Sequence, residues 1–133
     1  MMNIIADTNV LLRALVGDHK EQSKLAVDTL TEATLVTVSP QALCELVWVL
    51  DRSYGVEKAD IVEVVRNLLE TGNVVVDRGL VLHGLAFLEQ GGDFADGVID
   101  FSGRMMGGDA FVSFDRKAVR IVAEAGRAAR LLS

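Results

Sequence analysis

The sequence predicts an α/β fold, a three-layer α/β/α sandwich around a mainly parallel central sheet. Three observations lead there. Short β-branched runs alternate with amphipathic helical stretches along the whole chain. The turns between them are too short, and the helices too many, for a β-sandwich. Glycines close most of the helical stretches.

In chain order, "NIIA" at 3–6 is a β-prone run, and "NVLLRALV" at 9–16 has helical apolar spacing that stops at Gly17. Residues 20–33, "KEQSKLAVDTLTEA", read as an amphipathic helix, and "LVTVS" at 35–39 as a strand of β-branched residues. Ser39-Pro40 marks a helix start, a serine cap with the only proline of the chain at the first helical position. That helix, "PQALCELVWVLDRSY", ends at Gly55. "KADIVEVVRNLLET" is a further helix stopped by Gly72, "VVV" at 74–76 a strand, and "LVLHGLAFLEQ" a helix ending in Gly91-Gly92. Asp93 opens "DFADGVIDFSGRMM", closed by Gly107-Gly108. "AFVSF" is a strand, "RKAVRIVAEA" a helix ending at Gly126, and "ARLL" a last strand.

At 133 residues, half of them hydrophobic, one domain spanning 1–133 with a sizeable core is expected. No apolar stretch approaches the roughly 20 residues of a membrane helix, and the N-terminus does not read as a signal peptide. One cysteine, Cys44, permits no internal disulfide, so a reducing cytoplasm is the expected setting. Two histidines and one cysteine argue against a zinc cluster, so a metal here would be held by oxygen. The net charge of −6 argues against a generic basic nucleic-acid-coating protein. Residues 104–133 nevertheless carry six basic side chains against three acidic ones, a segment that could hold a phosphate chain or simply be a solvated face.

Four acids stand in suspicious places. Asp7 and Asp115 each follow a strand, at the edge where open α/β sheets gather ligands, although each could be a plain helix cap. Glu45 is the only charge between Pro40 and Asp51; it either has a partner at buried surface or lies on a narrow exposed strip. Asp96 belongs to "DFADGVIDF", where Asp93 could cap the helix and Asp100 follows Asp96 by four residues on the same face. If these carboxylates converge, they stay ionised only around a positive charge. Oxygen ligands without imidazole or thiol suit Mg²⁺ or Mn²⁺.

"ADTNVLLR" around Asp7, "SPQALCELVWVL" around Glu45, "DFADGVID" around Asp96 and "FVSFDRKAVR" around Asp115 together resemble a PIN-domain ribonuclease, of the kind found as the VapC toxin of toxin–antitoxin pairs. The pieces occur in the order of that family and span nearly the whole chain. The resemblance implies metal-dependent RNA hydrolysis with one or two Mg²⁺ or Mn²⁺ ions, held by Asp7, Glu45, Asp96 and Asp115. It implies a pocket lined by Thr8, Asn9 and Ser113, with Asp93 and Asp100 as neighbours whose part is open. Relatives often have threonine at the position of Ser113. Some carry a further acid after the fourth, where Arg116 and Lys117 stand here. It also implies a homodimer and a cognate antitoxin as partners. Arg13, Arg104, Arg116, Lys117 and Arg120 are RNA-binding candidates by their proximity to the acids.

Two other readings compete: a non-catalytic PIN-like scaffold, and a phosphatase with an aspartate nucleophile. "DTN" lacks the second aspartate, two residues on, that the phosphatase would need. Elsewhere, Trp48, Val49, Leu50, Tyr54 and Phe87 are expected to pack, Met105-Met106 to fill core space or meet a partner, and His19 and His83 to be isolated.

Overall fold

The computed structural model describes residues 2–133, which divide into two compact units meeting in sequence at Arg78 and Gly79. In the first unit, β1 (Asn3–Ile5) leads through α1 (Thr8–Leu15) and α2 (Lys20–Glu32) to β2 (Leu35–Thr37). Then α3 (Pro40–Arg52) and α4 (Lys58–Glu70) lead to β3 (Val74–Val75). The three strands pair in the order β1-β2-β3, all parallel, with Ile4 opposite Val36 and Val36 opposite Val74. Parallel neighbours cannot be joined by a tight hairpin, so a helical pair crosses between each two strands.

The second unit holds most of α5 (Arg78–Glu89), then α6 (Phe94–Met105), β4 (Phe111–Ser113), α7 (Arg116–Glu124) and β5 (Ala129–Leu131). Its two strands are again parallel, with Val112 opposite Arg130. Each run that reads as a strand or helix in the sequence forms that element. Most boundaries contract by one or two residues, as fraying ends do, while α1 and α5 begin one and two residues earlier than the sequence reading.

The helix starts are chemically explicit. Ser39 accepts a hydrogen bond from the Ala42 amide at 3.1 Å, with Pro40 at the first helical position. His19 caps α2 through Nδ1, so this histidine has a local role. Beyond the C-terminal ends of α5 and α7, Gly91 and Gly126 adopt positive φ of 83° and 80°, a conformation that a Cβ would disfavour.

The core of the first unit gathers Leu11, Val36, Leu43, Leu46, Leu50, Ile61 and Val65, all almost fully buried. In the second, Phe87, Phe111, Ala118, Ile121 and Val122 form one apolar cluster. Helices α5 and α6 approach closely: a Cβ on Gly97 would lie 2.8 Å from Gly84 Cα, and one on Gly84 would lie 2.7 Å from the ring of the buried Phe94.

Several packing expectations need correction. Trp48 is 57% exposed, because it falls on the solvent strip of α3 together with Gln41 and Glu45. Met105 and Met106 are exposed at the end of α6 and fill no core. Tyr54 is partly exposed and donates its hydroxyl to Asp18 at 2.9 Å. Among the described residues, no helix is long and apolar enough to cross a membrane.

Candidate functional site

In the first unit, the chain leaves β1 through the buried Ala6 and turns at Asp7, the N-cap of α1. One oxygen of Asp7 accepts the Thr8 amide at 2.7 Å. Thr8 is itself buried, and its hydroxyl donates to Glu45 Oε2 at 3.0 Å. A single residue thus ties the carboxylate at the end of β1 to that of Glu45, 37 residues beyond Thr8. Glu45 is solvent-exposed. The sequence left a buried partner or an exposed strip open; the helix presents the exposed strip, and Thr8 supplies a partner as well.

Asn9 follows Thr8 on the exposed side of α1 and lines, with Arg13, a groove against α2. Arg13 donates to Asp18 at 3.2 Å.

In the second unit, Asp93 caps α6 by accepting the Ala95 amide at 3.1 Å, and Asp96 occupies the first helical turn. Asp115 caps α7 by accepting the Ala118 amide at 3.1 Å. Ser113, the last residue of β4, accepts the Asp115 amide through Oγ at 2.9 Å and so shapes the turn that presents Asp115. Burial raises the pKa of Asp96, and the negative charges of Asp93 and Asp115 raise it further. The helix start favours negative charge, but here that effect is outweighed. A cation beside Asp96 would lower the electrostatic cost of all three acids.

Asp100, one turn beyond Asp96, has other company. Its side chain is 1% exposed. Oδ2 takes Nη1 of Arg127 at 2.5 Å and Nε2 of His83 at 2.8 Å, while Oδ1 takes Nε of Arg104 at 3.0 Å. Burial pushes its pKa up; the His83 hydrogen bond and the Arg127 and Arg104 charges outweigh this and hold it below the ordinary carboxylate value. Asp100 therefore does not share the like-charge edge of Asp93 and Asp96. Arg104 also donates to the carbonyls of Asp109 and Ala128, at 3.0 and 3.1 Å, so its guanidinium fastens the end of α6 to the approach to β5. His83 is not isolated: besides Asp100 it stacks at a tilt near Phe87 and Phe101. The spacing of Asp100 and Arg104, four residues apart on one helix, was a visible signal of this cluster. Nothing local points to Arg127 or His83.

Among the described residues, no group of three or more Asp, Glu, His or Cys side chains is already drawn together as a metal cage. The donor chemistry nonetheless fits a hard divalent cation: carboxylates and hydroxyls are present, and the histidines are engaged elsewhere.

Comparison with protein families matches residues 4–124 to the PIN domain. The chain belongs to the PIN domain family. PIN domains are in general nuclease-like hydrolases that use divalent metals, and the family fold is the α/β arrangement of parallel strands and covering helices seen here. The matched stretch includes Asp7, Glu45, Asp96 and Asp115. No curated protein matches the chain in sequence.

Proposed function

We propose that this PIN domain is a divalent-metal-dependent endoribonuclease acting as the toxin of a toxin–antitoxin pair. Asp7, Glu45, Asp96 and Asp115 would hold Mg²⁺ or Mn²⁺, within one domain formed by the whole chain. The observation that carries the reading is the Thr8 link, which couples Asp7 to Glu45 through one buried residue inside a PIN-family match. The frustrated trio of Asp93, Asp96 and Asp115 supports it.

When bound, the ion supplies Lewis-acid chemistry, acidifying a water and offsetting charge on the phosphodiester. The protein does the rest. Thr8 orients the Glu45 carboxylate by donating to it, leaving Oε1 for a ligand. Ser113 fixes the turn before Asp115. Asp96, with its raised pKa, is suited to orient a water and accept its proton. Asp93 caps α6 and adds charge without need of direct ligation. Asp100 and Arg104 are left out of the site, because both are occupied in their own cluster. Arg13, Arg116, Lys117 and Arg120 would meet the RNA backbone. A homodimer and an antitoxin that occludes the acids complete the proposal, in the cytoplasm.

The decisive assay is purified protein on RNA with Mg²⁺, Mn²⁺ or EDTA. Cleavage in either metal, none in EDTA, and loss of at least 100-fold in Asp7→Asn and Asp96→Asn with an intact fold is the expected outcome. Equal cleavage in EDTA, or full activity in either variant, would overturn it. The toxin role predicts growth arrest on expression, relieved by an adjacent small reading frame.

A further inference from the structure

The face of α1 that begins at Asn9 runs one turn to Arg13, and opposite it α2 presents Gln22, Leu25, Ala26 and Thr29. The α2 residues are spaced three, four and seven apart, so they form one continuous stripe. Together the two faces enclose an open groove of about 440 Å³, within the roughly 300–1,000 Å³ of small-molecule sites. Its composition is mixed. Ala26 is a buried floor, Leu25 is a large apolar side chain left 68% exposed, and Asn9 and Gln22 are exposed amides. Each amide offers one acceptor and two donors.

We propose that this groove receives one nucleotide of the substrate RNA and selects its base, a reading that rests on the proposed ribonuclease function. Asn9 lines the groove and stands two residues from Asp7, the N-cap of the same helix, so a chain whose phosphate lies at Asp7 can lay its next base between α1 and α2. Single-stranded RNA is read by splayed bases that rest on flat or apolar surfaces and hydrogen-bond at their edges. Leu25 and Ala26 provide the surface, Gln22 and Asn9 the edge partners, and Arg13 a cation for the adjoining phosphate. An amphipathic helix from a protein would call for an apolar groove; here four of the seven lining residues are polar, and Val10, Leu25 and Ala26 are the apolar ones.

Nucleoside 5′-monophosphates test the groove without cleavage, because they contain no phosphodiester. The protein in Mg²⁺ is titrated with AMP, GMP, CMP and UMP and followed by NMR. Saturable shifts are expected at the Leu25 and Ala26 methyls and the Gln22 side-chain amide, with at least a threefold spread in Kd among the four bases. Leu25→Glu, at an exposed position that tolerates the change, should weaken all four at least fivefold. Gln22→Ala should flatten the spread and relax base preference beside the cut in a randomised RNA pool. RNA cleavage with these signals unmoved, or with an unchanged cut-site profile in Gln22→Ala, overturns the inference and leaves the ribonuclease reading standing. The same holds if an apolar peptide fills the groove while all four nucleotides are silent. Nucleotide binding without any RNA cleavage instead sinks the ribonuclease reading and retains the groove as a nucleotide site.

Discussion

Asp96 and Asp100 lie four residues apart on α6, and their surroundings push their acidities in opposite directions. For Asp96 the folded pKa is raised, so ionisation works against folding. That penalty is absent well below the ordinary value of 3.8, grows as pH rises through it, and is fully present above the folded pKa. Asp96→Asn should therefore stabilise the fold near neutral pH, by roughly 0.5–1 kcal/mol after allowance for solvent screening, while ending cleavage. Denaturant melts of both proteins from pH 3 to 7 check this: the difference should close toward pH 3, and Mg²⁺ should raise the wild type more than the variant. For Asp100 the folded pKa is lowered, so its contribution is present above 3.8 and is lost as pH falls through the folded value. Asp100→Asn leaves Arg127 and Arg104 facing a neutral amide in a buried place. A loss of about 3 kcal/mol is expected, at the low end for a broken buried pair because both guanidinium groups reach water. Melts near pH 7 should show it, and the variant should lose the acid-limb slope of the wild type. Only part of this was readable beforehand. Asp7, Asp96 and Asp115 announce themselves by following strands or opening helices, and the carboxylate of Glu45 by its apolar neighbours. Asp100 looks like one more acid on the same edge, because the side chain that neutralises it most closely, Arg127, arrives 27 residues later through tertiary packing.

At the scale of elements, the crossing of α5 and α6 sets how firmly Asp93 and Asp96 are held, since both sit at the start of α6. Gly97 lies in the first turns of that helix, where an added Cβ would meet Gly84 Cα at 2.8 Å and the His83 carbonyl at 3.1 Å. Both are backbone atoms that cannot rotate aside. Gly97→Ala should thus force the helices apart and cost about 1–3 kcal/mol, even after the gain of about 1 kcal/mol in helix propensity. Gly103, on the same helix, has nothing within 4 Å of such a Cβ and an ordinary helical φ. Gly103→Ala should instead stabilise by up to about 1 kcal/mol. The pair is a matched test by thermal or chemical denaturation; a Gly97→Ala protein as stable as Gly103→Ala would refute the close crossing. The elements themselves were most legible where cap, period and stop agree, as at Ser39-Pro40 and Gly55. The facing of α3 was less so. Its apolar run "LVWVL" conceals an exposed strip of Gln41, Glu45 and Trp48, one residue in each turn, which only the packing partner resolves. The glycine crossing was likewise hidden, since a glycine within a helix pattern reads as a weakness until the neighbouring backbone is seen.

For the molecule as a whole, the proposed ribonuclease function requires that a net charge of −6 be reconciled with a polyanionic substrate. A cation among the acids removes part of the repulsion, and the remainder must come from local basic side chains. On that reading, helix α7 supplies them. Asp115 caps its start, Ala118, Ile121 and Val122 bury one side, and Arg116, Lys117 and Arg120 stand exposed on the rest. Arg116 and Arg120 are one turn apart and share a face. The ion pair of Arg120 with Glu124 is long at 3.6 Å and solvent-exposed, so a phosphate can displace it at little cost. Each phosphate neutralised on a single strand adds about 0.7 to the slope of log K against log salt. Arg116→Glu combined with Arg120→Glu should therefore flatten the salt dependence of RNA binding by about 1.4 and weaken binding at low salt, with thermal stability unchanged. Binding is best measured by fluorescence anisotropy on a short RNA with the Asp7→Asn protein as background, so that cleavage does not intrude. An unchanged slope would remove α7 from the RNA footprint and shift the burden to Arg13 and the groove beside it.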